Sequence, residues 1–248
     1  MDKMLFIAMN GAKQAMQAQT NISHNLANAS TLGFKENLDS FSTWHVEGPG
    51  FNSRAYNRHE ASGINLMPGS FTSTGRDLDI AVNGEGWIAI QAPDGSQAYT
   101  RAGDLRINAN GMLTNGVGHP VIGNSGPIVI PPADKVEIGA DGSISIIPTG
   151  QTADTMAILD RIRLVNPDQS LMQKGPDGLL RYIDGNLNTA NPDASVSLAS
   201  GVLEQSNVNA VSELVNLIEN ARQFEANVKI MKTAQESDEV SARLLRNS

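Results

Sequence analysis

The sequence contains no cysteine. Disulfide frameworks, thiolate metal sites and cysteine nucleophiles are therefore excluded, and an oxidising compartment would do the chain no harm. Aromatic residues are scarce at 4%, and only four histidines occur, His24, His45, His59 and His119. These are scattered, with no HxxxH or HxH spacing, so a metal site would have to be assembled from distant parts of the fold. Positive charge is also short: 18 Lys and Arg stand against 26 Asp and Glu, a formal net charge of −8. That argues against a footprint for nucleic acid or anionic lipid and leaves solubility as the plain reading of the charge. No run approaches the roughly 18 to 20 apolar residues of a spanning helix. The apolar start at Met1–Met9 is broken by Asn10, Lys13, Gln14, Gln17 and Gln19 before a secretory core is complete. Neither membrane insertion nor a cleaved signal is expected.

At 248 residues the chain is long enough to bury a core as one domain or two modest ones. Its first zone is helical. Met4, Ala8, Gly11, Ala15, Ala18 and Ile22 recur at alternating spacings of four and three, which is a heptad seam on one side of a helix. Small residues dominate that seam, so a partner can approach closely but little area is buried per residue. Gly11 lowers helicity by about 1 kcal/mol relative to alanine. Such a helix is marginal alone, because helices are stabilised mostly by packing an apolar face.

The far end offers a matching face. Ala210, Leu214, Leu217, Ala221, Phe224, Val228 and Met231 alternate four and three again. Asn209 is placed to cap the helix start, and Glu213 sets negative charge near its positive end. Val240, Leu244 and Leu245 could extend the pattern, and at ~1.5 Å per residue a helix over 209–245 would be on the order of 55 Å long. The expected arrangement is an α-helical coiled-coil hairpin made from residues 1–35 and 205–248. Its seam is Met4, Ala8, Ala15 and Ile22 against Leu214, Leu217, Phe224, Val228 and Met231.

Between the ends the periodicity changes. Residues 36–77 carry Gly48-Pro49-Gly50, Pro68-Gly69 and many serines and asparagines, and read as an extended connector. From 78 to 204 short apolar runs alternate with turn signals. Asp94-Gly95, Asn110-Gly111 and Asp141-Gly142 each sit between strand-like segments, where hairpins need positive φ. Ile88, Ile90, Tyr99, Leu105, Ile107, Met112 and Leu113 are the expected inward positions. The fold class is thus α+β, with a mainly antiparallel β domain inserted between terminal helices.

Candidate chemistry is thin. Asp77 and Asp79 form a D-x-D pair, but their place before an apolar strand favours turn and edge roles. Asn83-Gly84-Glu85-Gly86 lacks the third glycine and the following helix of a phosphate loop. Gly139–Ser143 lacks the alternating carboxylates of a calcium loop, and no Gly-x-Ser-x-Gly elbow occurs. Trp44, Phe51, Tyr56 and Trp87 could form a sugar-binding set, although so few aromatics are more in demand for a core or for subunit contacts. No catalytic, cofactor or metal residue is expected.

Three blocks carry a family resemblance. His24-Asn25-Leu26-Ala27-Asn28-Ala29-Ser30-Thr31-Leu32-Gly33-Phe34-Lys35, closing the first helix, resembles the N-terminal signature of bacterial flagellar rod and hook proteins. Asp79–Trp87 with Tyr99–Gly103 and Asn110–Leu113 resembles the start of the β domain in the longer members, and Leu203–Asn209 their lead into the last helix. His24 and Leu32 depart from the usual residues, and Leu32 leaves the turn less rigid than a proline would. Length narrows the resemblance to rod members that carry a β domain, and the chain ends are more similar to the proximal member than to the distal one.

The resemblance implies a structural subunit whose terminal helices form an inner coiled-coil layer and whose β domain lies outside. It implies helical assembly into the periplasmic drive shaft that joins the membrane ring to the hook. It also implies export through the flagellar type III apparatus without a cleaved signal. Implied partners are copies of the chain and other rod proteins, the distal rod protein among them. Asn25, Leu26, Ala27, Asn28, Ser30, Thr31, Gly33 and Phe34 are the implied assembly residues. A periplasmic peptidoglycan hydrolase using Asp77, Asp79 or Glu85 is the alternative, but it leaves the paired terminal heptads unexplained.

Overall fold

The computed structural model describes residues 2–45, 55–59, 63–150, 156–175, 177–182 and 190–246. Phe51 and the side chains of Trp44, His45, Tyr56, His59, Leu244 and Leu245 lie outside the described residues. The chain folds into two compact units. One comprises Met1–Ala29, Glu36–Asn65 and Val208–Ser248, the other Ser30–Lys35 and Leu66–Asn207.

The first unit is built on α1 (Asp2–Ala27) and α2 (Ala210–Arg246), which lie against each other. Asn209 caps α2 as its sequence position predicts: its Oδ1 accepts from the amides of Val211 and Ser212 at 3.0 and 3.2 Å. The unit also holds β1 (Asn37–Leu38), β2 (Phe41–His45), β3 (Ala55–His59) and β4 (Gly63–Ile64), with β1 pairing β4 and β2 pairing β3. Among the described residues, no helix is long and apolar enough to cross a membrane.

The second unit is antiparallel throughout. In chain order it contains β5 (Phe71–Ser73), β6 (Ile80–Asn83), β7 (Trp87–Gln91), β8 (Gln97–Thr100), β9 (Arg106–Ile107), β10 (Leu113–Thr114) and β11 (Ala133–Ile138). β12 (Ser143–Pro148), β13 (Ala157–Arg161), β14 (Leu164–Val165), β15 (Met172–Lys174), β16 (Leu180–Tyr182), β17 (Ser197–Ser200) and β18 (Val202–Glu204) follow. A five-stranded sheet has the order β14-β7-β8-β16-β15 and a three-stranded sheet β11-β12-β13, and β6 pairs β17, β5 pairs β18 and β9 pairs β10. The core is aliphatic: Ile80, Val82, Ile88, Ile90, Leu105, Leu113, Val121, Ile128, Ile144 and Ile162 are sealed from solvent. Of the expected inward positions, Ile107 is exposed on the β9–β10 ribbon and Met112 is half-buried.

Turn chemistry accounts for part of the acidity. In Asp94-Gly95-Ser96, Asp141-Gly142-Ser143, Asp168-Gln169-Ser170 and Asp193-Ala194-Ser195 the carboxylate accepts from both the amide and the hydroxyl of the serine two residues on. These hydrogen bonds hold all four carboxyls below the usual range.

The stretch read as a connector over 36–77 is divided between the units. Residues 36–65 supply β1–β4 to the helical unit, and residues 66–77 supply β5 to the β unit. Residues 30–35 also fold with the β unit, because β18 and its flanks hold them there.

Candidate functional site

The signature turn is built in two halves. In the helical unit, Asn25 is buried at the end of α1, and its side-chain amide pairs with the backbone of Asn37. Its Oδ1 accepts from the Asn37 amide at 2.9 Å, and its Nδ2 donates to the Asn37 carbonyl at 3.0 Å. A side-chain amide thereby satisfies β1 as a neighbouring strand would. Asn28 ends the helix by donating from Nδ2 to the His24 carbonyl at 2.9 Å, a local bond that competes with further helical turns. Leu26 is half-buried, and Ala27, Ser30 and Thr31 are exposed.

In the β unit, the Gly33 amide donates to the Glu204 carbonyl at 2.9 Å. Gly33 has φ +64°, and a Cβ there would fall 2.3 Å from the Arg101 carbonyl carbon, so only glycine fits. Phe34 is buried, with the Lys174 ammonium 3.5 Å from its ring centroid, and that ammonium also donates to the Lys35 carbonyl at 2.7 Å. Burial draws Lys174 down to about 8.

Lys35 runs inward to a carboxylate that sequence reading did not single out. Glu204 is 1% exposed. Its Oε1 accepts from Lys35 Nζ at 2.7 Å and from the Gly69 amide at 3.0 Å, and its Oε2 accepts from Arg101 Nη1 at 3.0 Å. Lys35 also donates to the Met67 carbonyl at 2.8 Å, and Arg101 to the Gly84 carbonyl at 2.8 Å. Both cations face the buried Trp87 ring, at 5.9 and 5.0 Å from its centroid. Burial lowers the Lys35 ammonium, while Glu204 pulls it back towards its ordinary value. One carboxylate thus ties together the signature, the loop leading into β5, the end of β8 and β18. Glu204 beside the buried Leu203, and Lys35 directly after Gly-Phe, were the signals that could have found it.

The helix pair departs from the expected seam. Ala8 and Ala15 are buried, and Ile22, Leu217, Phe224 and Met231 are half-buried, as a seam requires. Met4, Leu214 and Val228 are exposed instead, Leu214 by 47% and Val228 by 42%. On α2 the inward face runs through Glu213, Leu217, Asn220, Phe224, Asn227, Met231 and Ala234, still at spacings of four and three. The reason lies in α1. Its Ala and Gly surface leaves shallow notches that short polar side chains fill: Asn220 Nδ2 donates to the Ala15 carbonyl at 2.7 Å, and the Asn227 amide occupies the space at Gly11, where a Cβ would meet it at 2.9 Å. Glu213 is buried as well, and burial followed by the nearby Glu36 carboxylate pushes its pKa up.

The carboxylates of the hydrolase alternative have separate roles. Asp79 is buried and takes hydrogen bonds from Thr74 Oγ1 at 2.6 Å and from the Arg76 guanidinium, whereas Asp77 and Glu85 are exposed. Among the described residues, no group of three or more His, Asp or Glu side chains could hold a metal ion.

Terminal helices packed on each other with apolar side chains turned outward, and a β unit that holds the second half of a signature turn, are the features of an assembling structural protein. Comparison with known proteins gives the family. Residues 199–244 match the model described as flagellar basal body rod FlgEFG protein C-terminal, and residues 81–146 the flagellar hook protein FlgE/F/G D1 domain. The flagellar basal-body rod protein FlgF of Escherichia coli K12 is 38% identical, and that of Salmonella typhimurium LT2 is 36% identical, each over 100% of both chains. FlgG of Bacillus subtilis 168 is 33% identical over 97% of both. The chain belongs to the flagellar basal-body rod protein family.

Proposed function

We propose that this chain is a structural subunit of the flagellar basal-body rod, of the FlgF type, with no catalytic site. The observation that carries the reading is the apolar surface left open on the helical unit: Phe6, Met9 and Met16 on α1, and Val211, Val215 and Ile218 on α2. The last three share one helix face by their spacing. Exposed apolar stripes of this kind mark interaction surfaces. In this reading α1 and α2 form a coiled-coil hairpin within each subunit, and neighbouring subunits cover its outer faces, Leu214 and Val228 included. A heterologous contact that does not close repeats into a tube. The tube is the periplasmic shaft joining the membrane ring to the hook, reached through the flagellar type III apparatus without a cleaved signal. Its partners are further copies, other rod proteins including the distal rod protein, and the export apparatus. Asn25–Asn28 and Gly33–Phe34 fix the signature at both ends, which holds Ser30 and Thr31 out towards a neighbour.

The test separates the two faces of α2. Ile218→Asp leaves the circular dichroism of the purified monomer unchanged and abolishes swimming, because it alters only the outer face. Phe224→Asp abolishes swimming too, and in addition speeds amide exchange in α1 of the monomer. Normal motility with Ile218→Asp would refute the reading.

A further inference from the structure

Glu213 lies in the first turn of α2, and the helical unit buries it to 4% exposure. A buried carboxylate normally gathers hydrogen-bond donors, and this one has few. Its Oε1 accepts from Asn216 Nδ2 at a long 3.4 Å, and its Oε2, sealed from solvent, has no partner among the described residues. The Asn25 amide also lies against the carboxyl, but its Oδ1 and Nδ2 are engaged with the Asn37 backbone. The helix start supplies nothing further: Asn209 Oδ1 takes the Val211 and Ser212 amides, and the Glu213 amide donates to the Asn209 carbonyl. The helix dipole favours negative charge at this end, yet it does not replace the water that Oε2 has lost.

The charges beside Glu213 are of its own sign. Glu36 and Asp39 stand on either side of β1, and both act on it. Glu36 Oε2 accepts from Asn65 Nδ2 at 2.9 Å, and Asp39 accepts from Asn21 of α1. His24, also on α1, has its Nδ1 3.1 Å from Asn37 Nδ2. Burial first, and then the Glu36 carboxylate, push the Glu213 carboxyl above its usual range. Among the described residues no group of three acidic or histidine side chains can hold a metal ion, and a sealed oxygen admits no side chain from outside. The cation that fits is a proton.

We infer that Glu213 is a proton-operated latch: neutral, it lets the first turns of α2 close on the end of α1 and on β1, and ionised, it loosens them. The latch belongs to the single chain and goes beyond the rod-subunit reading. Only its use rests on that reading, since the same turns carry Val211 and Val215 of the outward apolar face, which a closed latch holds in order for a neighbour. The folded chain keeps this proton more tightly than the unfolded one. Its contribution is therefore complete below the ordinary value of 4.5 and is lost as pH rises through the raised one.

Amide exchange of the purified full chain, followed from pH 4.5 to about 8 and corrected for the intrinsic rate at each pH, reads the latch. Above 4.5, opening of residues 211–220 should grow by up to about tenfold per pH unit until the raised value is passed, with β7 and β8 as the internal standard. Glu213→Gln, neutral and of the same shape, should lose most of that slope. Glu36→Gln removes one like charge and should move the loss of protection to lower pH. A Glu213→Gln slope equal to the parent's would overturn the latch and leave the rod reading untouched, and so would a Glu36→Gln curve superimposed on the parent's. Normal swimming with Ile218→Asp would do the reverse, refuting the rod reading while the latch stands.

Discussion

Replacing Glu204 with alanine should unfold the β unit's hold on the signature. Glu204 is the shared partner of two buried cations, Lys35 and Arg101, whose side chains are each 3% exposed. Removing one member of a buried ion pair costs about 3–5 kcal/mol, because the charge left behind has lost its compensation without regaining water. Lys35 can relieve part of that cost by shedding its proton, which its lowered pKa already favours. Arg101 cannot deprotonate and stays charged against Trp87 and the Gly84 carbonyl. The Gly69 amide also loses its acceptor. A loss of about 3–5 kcal/mol is a large share of the ~5–15 kcal/mol that holds an ordinary domain. Urea unfolding, with amide exchange in β7 and β8 to localise the effect, measures it. Two controls sharpen the result. Lys135→Met, which removes the exposed pair with Glu137, should change stability by no more than about 1 kcal/mol. The combined change Lys35→Met, Arg101→Met and Glu204→Leu should recover most of the loss, since apolar replacement of a whole buried network also removes its desolvation cost. A Glu204→Ala loss below about 1 kcal/mol would refute the reasoning.

Glycine replacements should divide by their surroundings. Gly33→Ala meets the Arg101 backbone at 2.3 Å, whereas Gly95→Ala, also at positive φ, meets nothing within 4 Å. Thermal melts should show the second costing only the ~1–2 kcal/mol of a left-handed alanine and the first clearly more; equal losses would contradict the close approach. Lys174 gives a pH signature. Its pKa is about 8 in the folded chain against an ordinary 10.5, so between those values the unfolded chain binds more protons and stability rises with pH. The Lys174→Met chain should lack that share of the rise between pH 8 and 10.5, and superimposable curves would count against a buried ammonium over Phe34.

The helix ends and hairpin turns were legible because their signals are local. Asn209 before an apolar repeat and aspartate two residues before serine act over a few bonds, and both behave as their chemistry predicts. The α2 seam kept its heptad spacing but took a different phase. Hydrophobicity placed Leu214 and Val228 inside, yet the inside is decided by what α1 offers, and its Ala-Gly surface admits Asn220 and Asn227 instead. The Glu204 network was illegible for another reason. Its members are separated by 169 and 103 residues, and a lone charge in a polar stretch reads as surface until the fold removes the water around it. The signature itself was legible only as a resemblance. That its asparagines end a helix while its glycine, phenylalanine and lysine lock into a β unit follows from geometry that no spacing encodes.

The amides between the helices carry a mechanical consequence. A seam of alanine and leucine alone would be smooth, nearly indifferent to a shift along its axis. Asn220 grips one particular carbonyl, that of Ala15, and Asn227 fits one particular notch, that of Gly11. Sliding α2 by a single turn, about 5.4 Å, would take both amides out of their seats at once and leave polar groups facing methyls. The asparagines therefore act as gear teeth between the helices, giving up some hydrophobic grip for a single allowed alignment. A shaft that turns under load needs that resistance to slippage more than it needs the last increment of cohesion.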